Sequence, residues 1–240
     1  KRGIARLVFW FFWFWLPVRR ARIVVTISEE SKRALLDVVR CAPEKIRVVH
    51  NAVSNAFQPE TRAFNATNPT LLHIGTAQRK NLVRTIEALE GIPCRLMIIG
   101  PLNELDREAL TRCHIDFESY VGLTDKEILE QYHSADILLF ASEEEGFGLP
   151  IIEANAVGRP VITSAISSMP EVAGAAACFV DPFDVESIRL GVLRVIDDAD
   201  YRAQLENKGF ENAKRFSIEE TAAQYAEIYR EVAQSGPTNA

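Results

Sequence analysis

Short, nearly uninterrupted apolar runs alternate with amphipathic stretches along most of this chain. The runs Ile23–Ile27, Ile46–His50, Leu71–Gly75, Arg95–Gly100, Ile115–Tyr120, Ile137–Phe140, Pro160–Thr163 and Cys178–Val180 predict strands. Several lack any polar alternation, as strands do when both faces of a parallel sheet are covered. Helical spacing falls between them, over Glu29–Val39, Asn81–Leu89, Leu105–Arg112, Asp125–His133, Pro150–Ala156, Val185–Asp197, Tyr201–Phe210 and Ile218–Ala233. The last opens on Ser217-Ile-Glu-Glu220, a capping-box pattern. Strand–helix alternation of this kind predicts a doubly wound α/β fold with helices on both faces of a mostly parallel sheet. In such sheets ligands sit beyond the carboxyl ends of the strands, so Gly75, Gly100, Gly122, Glu145 and Thr163 are expected to gather on one rim.

Composition changes this picture little. At 240 residues and 48% hydrophobic content, the chain can bury a full core in one or two domains. Its net charge of −6 argues against nonspecific nucleic-acid binding, so any phosphate site must be local. The four cysteines, Cys41, Cys94, Cys113 and Cys178, have no CxxC spacing and read as buried thiols of a reducing, cytoplasmic compartment.

The amino terminus departs from the pattern. Leu7–Leu16 reads LVFWFFWFWL, with Lys1, Arg2 and Arg6 before it and Arg19, Arg20 and Arg22 after it. A membrane-spanning helix needs about 20 apolar residues, so this run is too short to cross a bilayer. No small-residue cleavage site follows it as in a signal peptide. Two readings remain: a helix buried against another domain, or an aromatic-basic segment making peripheral contact at the inner membrane face.

The chemistry concentrates in Glu145-Gly-Phe-Gly-Leu-Pro-Ile-Ile-Glu153. Pro150 suits the first helical position, and the glycines before it let backbone approach a ligand. The N–H groups of that helix start, with its dipole, favour an anion such as a diphosphate. Glu145 and Glu153 would flank the anion and accept hydrogen bonds from sugar or ribose hydroxyls. Taken alone, Glu153 would only complement the helix dipole, at about 0.3–1 kcal/mol, and Glu143–Glu145 would be a solvated acidic loop. A second cluster, Thr76-Ala-Gln-Arg79-Lys80-Asn81, sets two cations at a strand-to-helix turn on the same rim, where Arg and Lys suit diphosphate oxygens. Asp198-Ala-Asp200 has DxD spacing but lies between helices, away from that rim, and reads as a solvated turn. None of the four histidines has metal-ligand spacing, and His50 and His73 read as core or supporting residues. Gly146-Phe-Gly148 lacks the third glycine of a dinucleotide fingerprint.

With these motifs in hand, the chain resembles the carboxyl-terminal, donor-binding half of a GT-B glycosyltransferase of family 4, the glycosyl transferases group 1, with its Rossmann-like sheet. The resemblance rests on segments in order: Val24-Val-Thr-Ile-Ser-Glu-Glu-Ser-Lys32, Lys45-Ile-Arg-Val-Val-His-Asn51, Ile74-Gly-Thr-Ala-Gln-Arg-Lys-Asn81, Tyr120-Val-Gly-Leu123, Ser134-Ala-Asp136, the Glu145–Glu153 segment, Gly158-Arg-Pro160 and Met169-Pro-Glu-Val172. It implies that Glu153 holds the ribose hydroxyls, Glu145 contacts the donor sugar, and Arg79 and Lys80 neutralise the diphosphate. Backbone at Gly75 and Thr76 would border the phosphates, Tyr120, Val121 and Gly122 would hold the base, and Phe147, Gly148 and Leu149 would line the phosphate or sugar pocket. The donor would be a UDP- or GDP-linked sugar, transferred with retention to a glycan or lipid-linked acceptor, with no resident cofactor and no metal. Thr76 stands where many relatives carry arginine, leaving Arg79 as the second cation. Asn51-Ala-Val-Ser54 replaces the usual Asn-Gly-Val-Asp.

The expected organisation is an aromatic-basic helix over 1–22, facing an absent amino-terminal acceptor domain or a partner subunit. A nucleotide-sugar-binding domain over 23–216, a crossover helix over 217–234 and a frayed tail over 235–240 follow. The same architecture serves sugar-nucleotide epimerases, phosphorylases and noncatalytic subunits, which stand as alternatives.

Overall fold

A computed structural model describes residues 2–234, so the frayed tail expected over 235–240 lies outside the described residues. The chain divides into two compact units, residues 1–52 with 218–240 and residues 53–217. The boundaries between them fall after Ala52 and after Ser217.

The first unit opens with α1 (Arg2–Trp10), a π-helical stretch Phe11–Trp15 and α2 (Leu16–Arg20). Within the aromatic run, Phe11 stacks on Trp15 and Phe9 on Trp13, the i,i+4 pairing of a helix surface. After β1 (Val24–Thr26), Ser28 caps α3 (Glu29–Val38) by accepting the Ser31 N–H at 3.0 Å, and β2 (Ile46–Val48) pairs parallel with β1. The closing helix α11 (Ile218–Gln234) is tied to this unit by Arg22, whose guanidinium donates to the Val232 carbonyl at 2.8 Å.

The second unit is built on β3 (Thr70–Ile74), β4 (Arg95–Ile99), β5 (Asp116–Tyr120), β6 (Ile137–Phe140), β7 (Val161–Ser164) and β8 (Cys178–Val180). All pair in parallel, in the order β5-β4-β3-β6-β7-β8. This is the doubly wound order, reversing direction between β3 and β6. Right-handed crossovers put α4 (Leu82–Ala88) and α5 (Glu104–Arg112) on one face, and α6 (Asp125–Ser134), α7 (Leu149–Val157) and α8 (Met169–Ala173) on the other. Helix α9 (Val185–Asp197) packs on α4, and α10 (Ala199–Lys214) packs on α7.

The apolar runs lie where their pattern requires. Leu71, Leu72, Leu96, Ile98, Ile137, Leu139 and Ile162 are fully buried, each contributing about 1.5–3 kcal/mol of burial. Strand ends are nearly level: Ile74 pairs with Ile99, Ile99 with Tyr120, and Phe140 with Thr163, one residue before β7 ends. Beyond the last pairs, the Gly75 N–H reaches the Ile99 carbonyl and the Gly100 N–H the Tyr120 carbonyl, both at 2.8 Å. Gly75, Gly100 and Val121 therefore share one rim with the turn after β6. Thr163 does not join it, because it lies inside β7, buried, with its hydroxyl donating to the Phe140 carbonyl at 2.9 Å.

Candidate functional site

The rim is most crowded where β3 and β6 end side by side. After β3 the chain turns through Gly75 and a short 3-10 turn, Gln78–Lys80, before α4. Gly75 has a φ of +92°, and a Cβ there would lie 2.9–3.2 Å from three carbons of the Lys80 side chain. Glycine both permits the turn and leaves a channel for the lysine stem. The ammonium emerges over the Phe140 ring, 4.6 Å from its centroid, and meets Glu145 at 2.6 Å. Both side chains are largely shielded, at 14% and 11% exposure.

Glu145 is held from behind. Its N–H donates to the Ser167 hydroxyl at 3.2 Å, and its carbonyl accepts from Ser167 at 2.9 Å and Ser168 at 2.8 Å. Ser168 also lies 2.7 Å from the Phe147 carbonyl. Asn81, left-handed at φ +61°, buries its amide between the Ala141 carbonyl at 3.0 Å and the Pro182 carbonyl at 2.7 Å. These bonds fix the two turns before any ligand arrives.

Helix α7 begins one residue earlier than the sequence indicated, with Leu149 first and Gly148 as its cap at φ +109°. Gly148 cannot readily be replaced, since a Cβ would also approach Ile151 to 3.2 Å. Phe147 contributes only backbone to this opening; its ring is buried, edge-to-face against Phe216. In the first turn of α7, Pro150 has no N–H and the Ile151 N–H donates to the Gly148 carbonyl at 3.0 Å, so the Leu149 N–H is the group this helix start offers an anion.

Glu153 lies within that helix, and its carboxylate accepts the Tyr132 hydroxyl of α6 at 2.6 Å. Burial pushes the Glu153 pKa up; the Tyr132 bond opposes the rise, and Asp125 adds to it. Tyr132 is completely buried, and burial, followed by the nearby Glu153 charge, holds its pKa well above the ordinary value. The hydroxyl is therefore the donor.

Elsewhere the expected residues are placed more loosely. Thr76 donates its hydroxyl to the Pro101 carbonyl at 2.7 Å, tying the turn after β3 to the end of β4. Arg79 is exposed, and its carbonyl accepts the Glu143 N–H at 2.8 Å. Tyr120, Val121 and Gly122 are level with the rim but two strands from β3. Val121 is exposed, Gly122 has a φ of +70°, and the Tyr120 hydroxyl donates to Glu118. That bond is the main reason the Tyr120 pKa is raised. Asp198 caps α10, accepting the Tyr201 N–H at 2.8 Å.

The sequence reading missed Tyr132, Asn81, Ser167 and Ser168 as supports. Asn81 carried a usable signal, an asparagine at a tight turn before a helix, where a left-handed residue is needed. The serine pair and Tyr132 act through partners distant in sequence and carried none.

Comparison with known proteins agrees with this architecture. The mannosyltransferase B of the O-antigen chain from Escherichia coli is 28% identical over 233 residues, covering 88% of this chain and 61% of its own. The MMP alpha-(1->4)-mannosyltransferase of Mycolicibacterium hassiacum is 30% identical over 224 residues, 86% of this chain and 53% of its own. This chain thus spans little more than half the length of these relatives. HepE from Anabaena, solved in complex with UDP and glucose, shares the fold at a TM-score of 0.78 and 19% identity, over 90% of this chain and 64% of its own. The model for glycosyl transferases group 1 matches residues 54–212, nearly the whole second unit, and the chain belongs to that family.

Proposed function

We propose that the second unit binds a nucleoside-diphosphate hexose and serves as the donor half of a retaining glycosyltransferase acting on a glycan or lipid-linked acceptor. The observation that carries this reading is the Lys80–Glu145 pair at the strand-order reversal, beside the opening of α7. A diphosphate lying on the α7 amino terminus meets the Leu149 N–H and the Lys80 ammonium, with exposed Arg79 swinging in as the second cation. These positive groups stabilise the charge that builds on the departing diphosphate as the sugar leaves. Glu145, already facing the ammonium, is left to accept hydrogen bonds from sugar hydroxyls, and Glu153 accepts them from the ribose. The base reaches toward Tyr120–Gly122 along the rim. The mannosyltransferases among the relatives favour a mannose-type hexose, and the UDP and glucose held by HepE support a nucleoside diphosphate.

Acceptor binding is assigned to further chain. Among the described residues, the first unit contains only a two-stranded parallel sheet, too few strands to be stable by themselves. Its α1 and π-helical segment expose Ile4, Leu7, Phe9, Phe12 and Trp13. A further domain, as in the longer relatives, covers that surface in this reading; sedimentation with anionic vesicles would reveal a membrane occupant instead.

Isothermal titration with UDP, GDP and their glucose and mannose conjugates tests the assignment. Glu145→Ala should spare the plain diphosphate and weaken the sugar conjugate, while Glu153→Ala should weaken both by about 1.5–3 kcal/mol. Equal losses for both ligands in both variants would refute this division of roles.

A further inference from the structure

Glu153 does not act alone. Its partner Tyr132 sits near the carboxyl end of α6, fixed at three points. The ring packs edge-to-face on Phe57, with centroids 5.4 Å apart. The Tyr132 carbonyl accepts from the buried Arg159 guanidinium at 3.2 Å. The hydroxyl donates to Glu153 Oε2 at 2.6 Å. A fully buried hydroxyl without an acceptor would be costly, so this bond is strongly enforced.

We propose that Tyr132 is a positioning residue for nucleotide binding, holding one oxygen of Glu153 so that the other faces the two ribose hydroxyls as an ionised acceptor. The inference rests on the ribose role assigned to Glu153 above. A glutamate side chain on a helix has three rotatable torsions, and its carboxylate binds a vicinal diol well only when its plane is fixed. Tyr132 supplies that constraint from a neighbouring helix, and it occupies only one of the carboxylate's lone-pair sites. The bond also favours the charged form against the burial and the Asp125 charge that oppose it. Without the hydroxyl, Glu153 should both rotate and take up a proton at higher pH.

Tyr132→Phe keeps the ring packing on Phe57 and removes only the hydroxyl; circular dichroism and the melting temperature verify that the fold is retained. Binding of UDP and GDP, and of their 2′,3′-dideoxy counterparts, is measured from pH 5 to 8 for the 240-residue chain, for Tyr132→Phe and for Glu153→Gln. The expected result for Tyr132→Phe is about tenfold weaker binding of the ribose ligand at pH 7 and no change for the dideoxy ligand. The pH at which ribose-ligand binding falls by half should move upward. Equal weakening of both ligands with an unmoved pH midpoint, or wild-type binding of both, would overturn the positioning role while leaving the Glu153 assignment intact. Wild-type binding by Glu153→Gln, or no nucleotide binding by the unsubstituted chain, would instead overturn the reading on which the inference rests.

Discussion

The ammonium of Lys80 lies 2.6 Å from a carboxylate oxygen of Glu145, joining the turns after β3 and β6 where the strand order reverses. The two residues are 65 apart in sequence, and neither charge is well solvated. Removing one partner leaves the other poorly hydrated and unpaired. Lys80→Met should therefore cost about 2–3 kcal/mol of stability, somewhat less than the ~3–5 kcal/mol seen for fully buried pairs. Adding Glu145→Gln should restore much of it. Urea denaturation of the two single variants and the double variant measures the coupling; additive losses would mean that the pair contributes nothing as a pair.

Glu153 costs stability where it stands. Burial raises its pKa in the folded state, so above that pKa the native protein carries the cost of a shielded carboxylate, and the cost is relieved as pH falls through it. Glu153→Gln removes the charge and keeps an acceptor for Tyr132. At pH 7 its melting temperature should exceed that of the unsubstituted chain, and the difference should shrink as pH falls toward the ordinary carboxylate range. A variant less stable at pH 7 and equally so at pH 5 would contradict this account.

His73 gives acid sensitivity of the opposite sign. Within β3 it is fully buried, and burial, with Lys80 pushing the same way, lowers its pKa to about 4. The unfolded chain binds a proton near the ordinary value of about 6.5. Stability is then undiminished above about 6.5 and is lost as pH falls toward 4, by about 3 kcal/mol in all. His73→Leu should flatten that segment of the stability–pH curve. An unchanged slope in chemical denaturation between pH 6.5 and 4 would rule out His73 as its source.

Much of this architecture was legible in the sequence because parallel strands buried on both faces announce themselves as unbroken apolar runs. Val185–Asp197 matched to the residue, since Asp184 caps it and the apolar stripe is continuous. Helix α8 was missed, as five residues are too few for a period to register. The start of α7 was displaced by one residue, because Pro150 fits either of the first helical positions and only the left-handed Gly148 fixes the boundary. Within the site, Lys80 and Glu145 were named separately from their local motifs, but their contact depends on β3 and β6 being neighbours, which no local pattern states. Ser167 and Ser168 were invisible for the same reason: their partners are backbone carbonyls about twenty residues away.

Whether the switch-point cations hold a diphosphate is read from titration of UDP and GDP against uridine and guanosine at low and high salt. Lys80→Ala and Arg79→Ala should weaken the diphosphates severalfold or more, leave the nucleosides nearly unchanged, and lose part of their effect as salt rises. Variants that bind the diphosphates like the unsubstituted chain at low salt would contradict it, returning Lys80 and Glu145 to a purely structural ion pair.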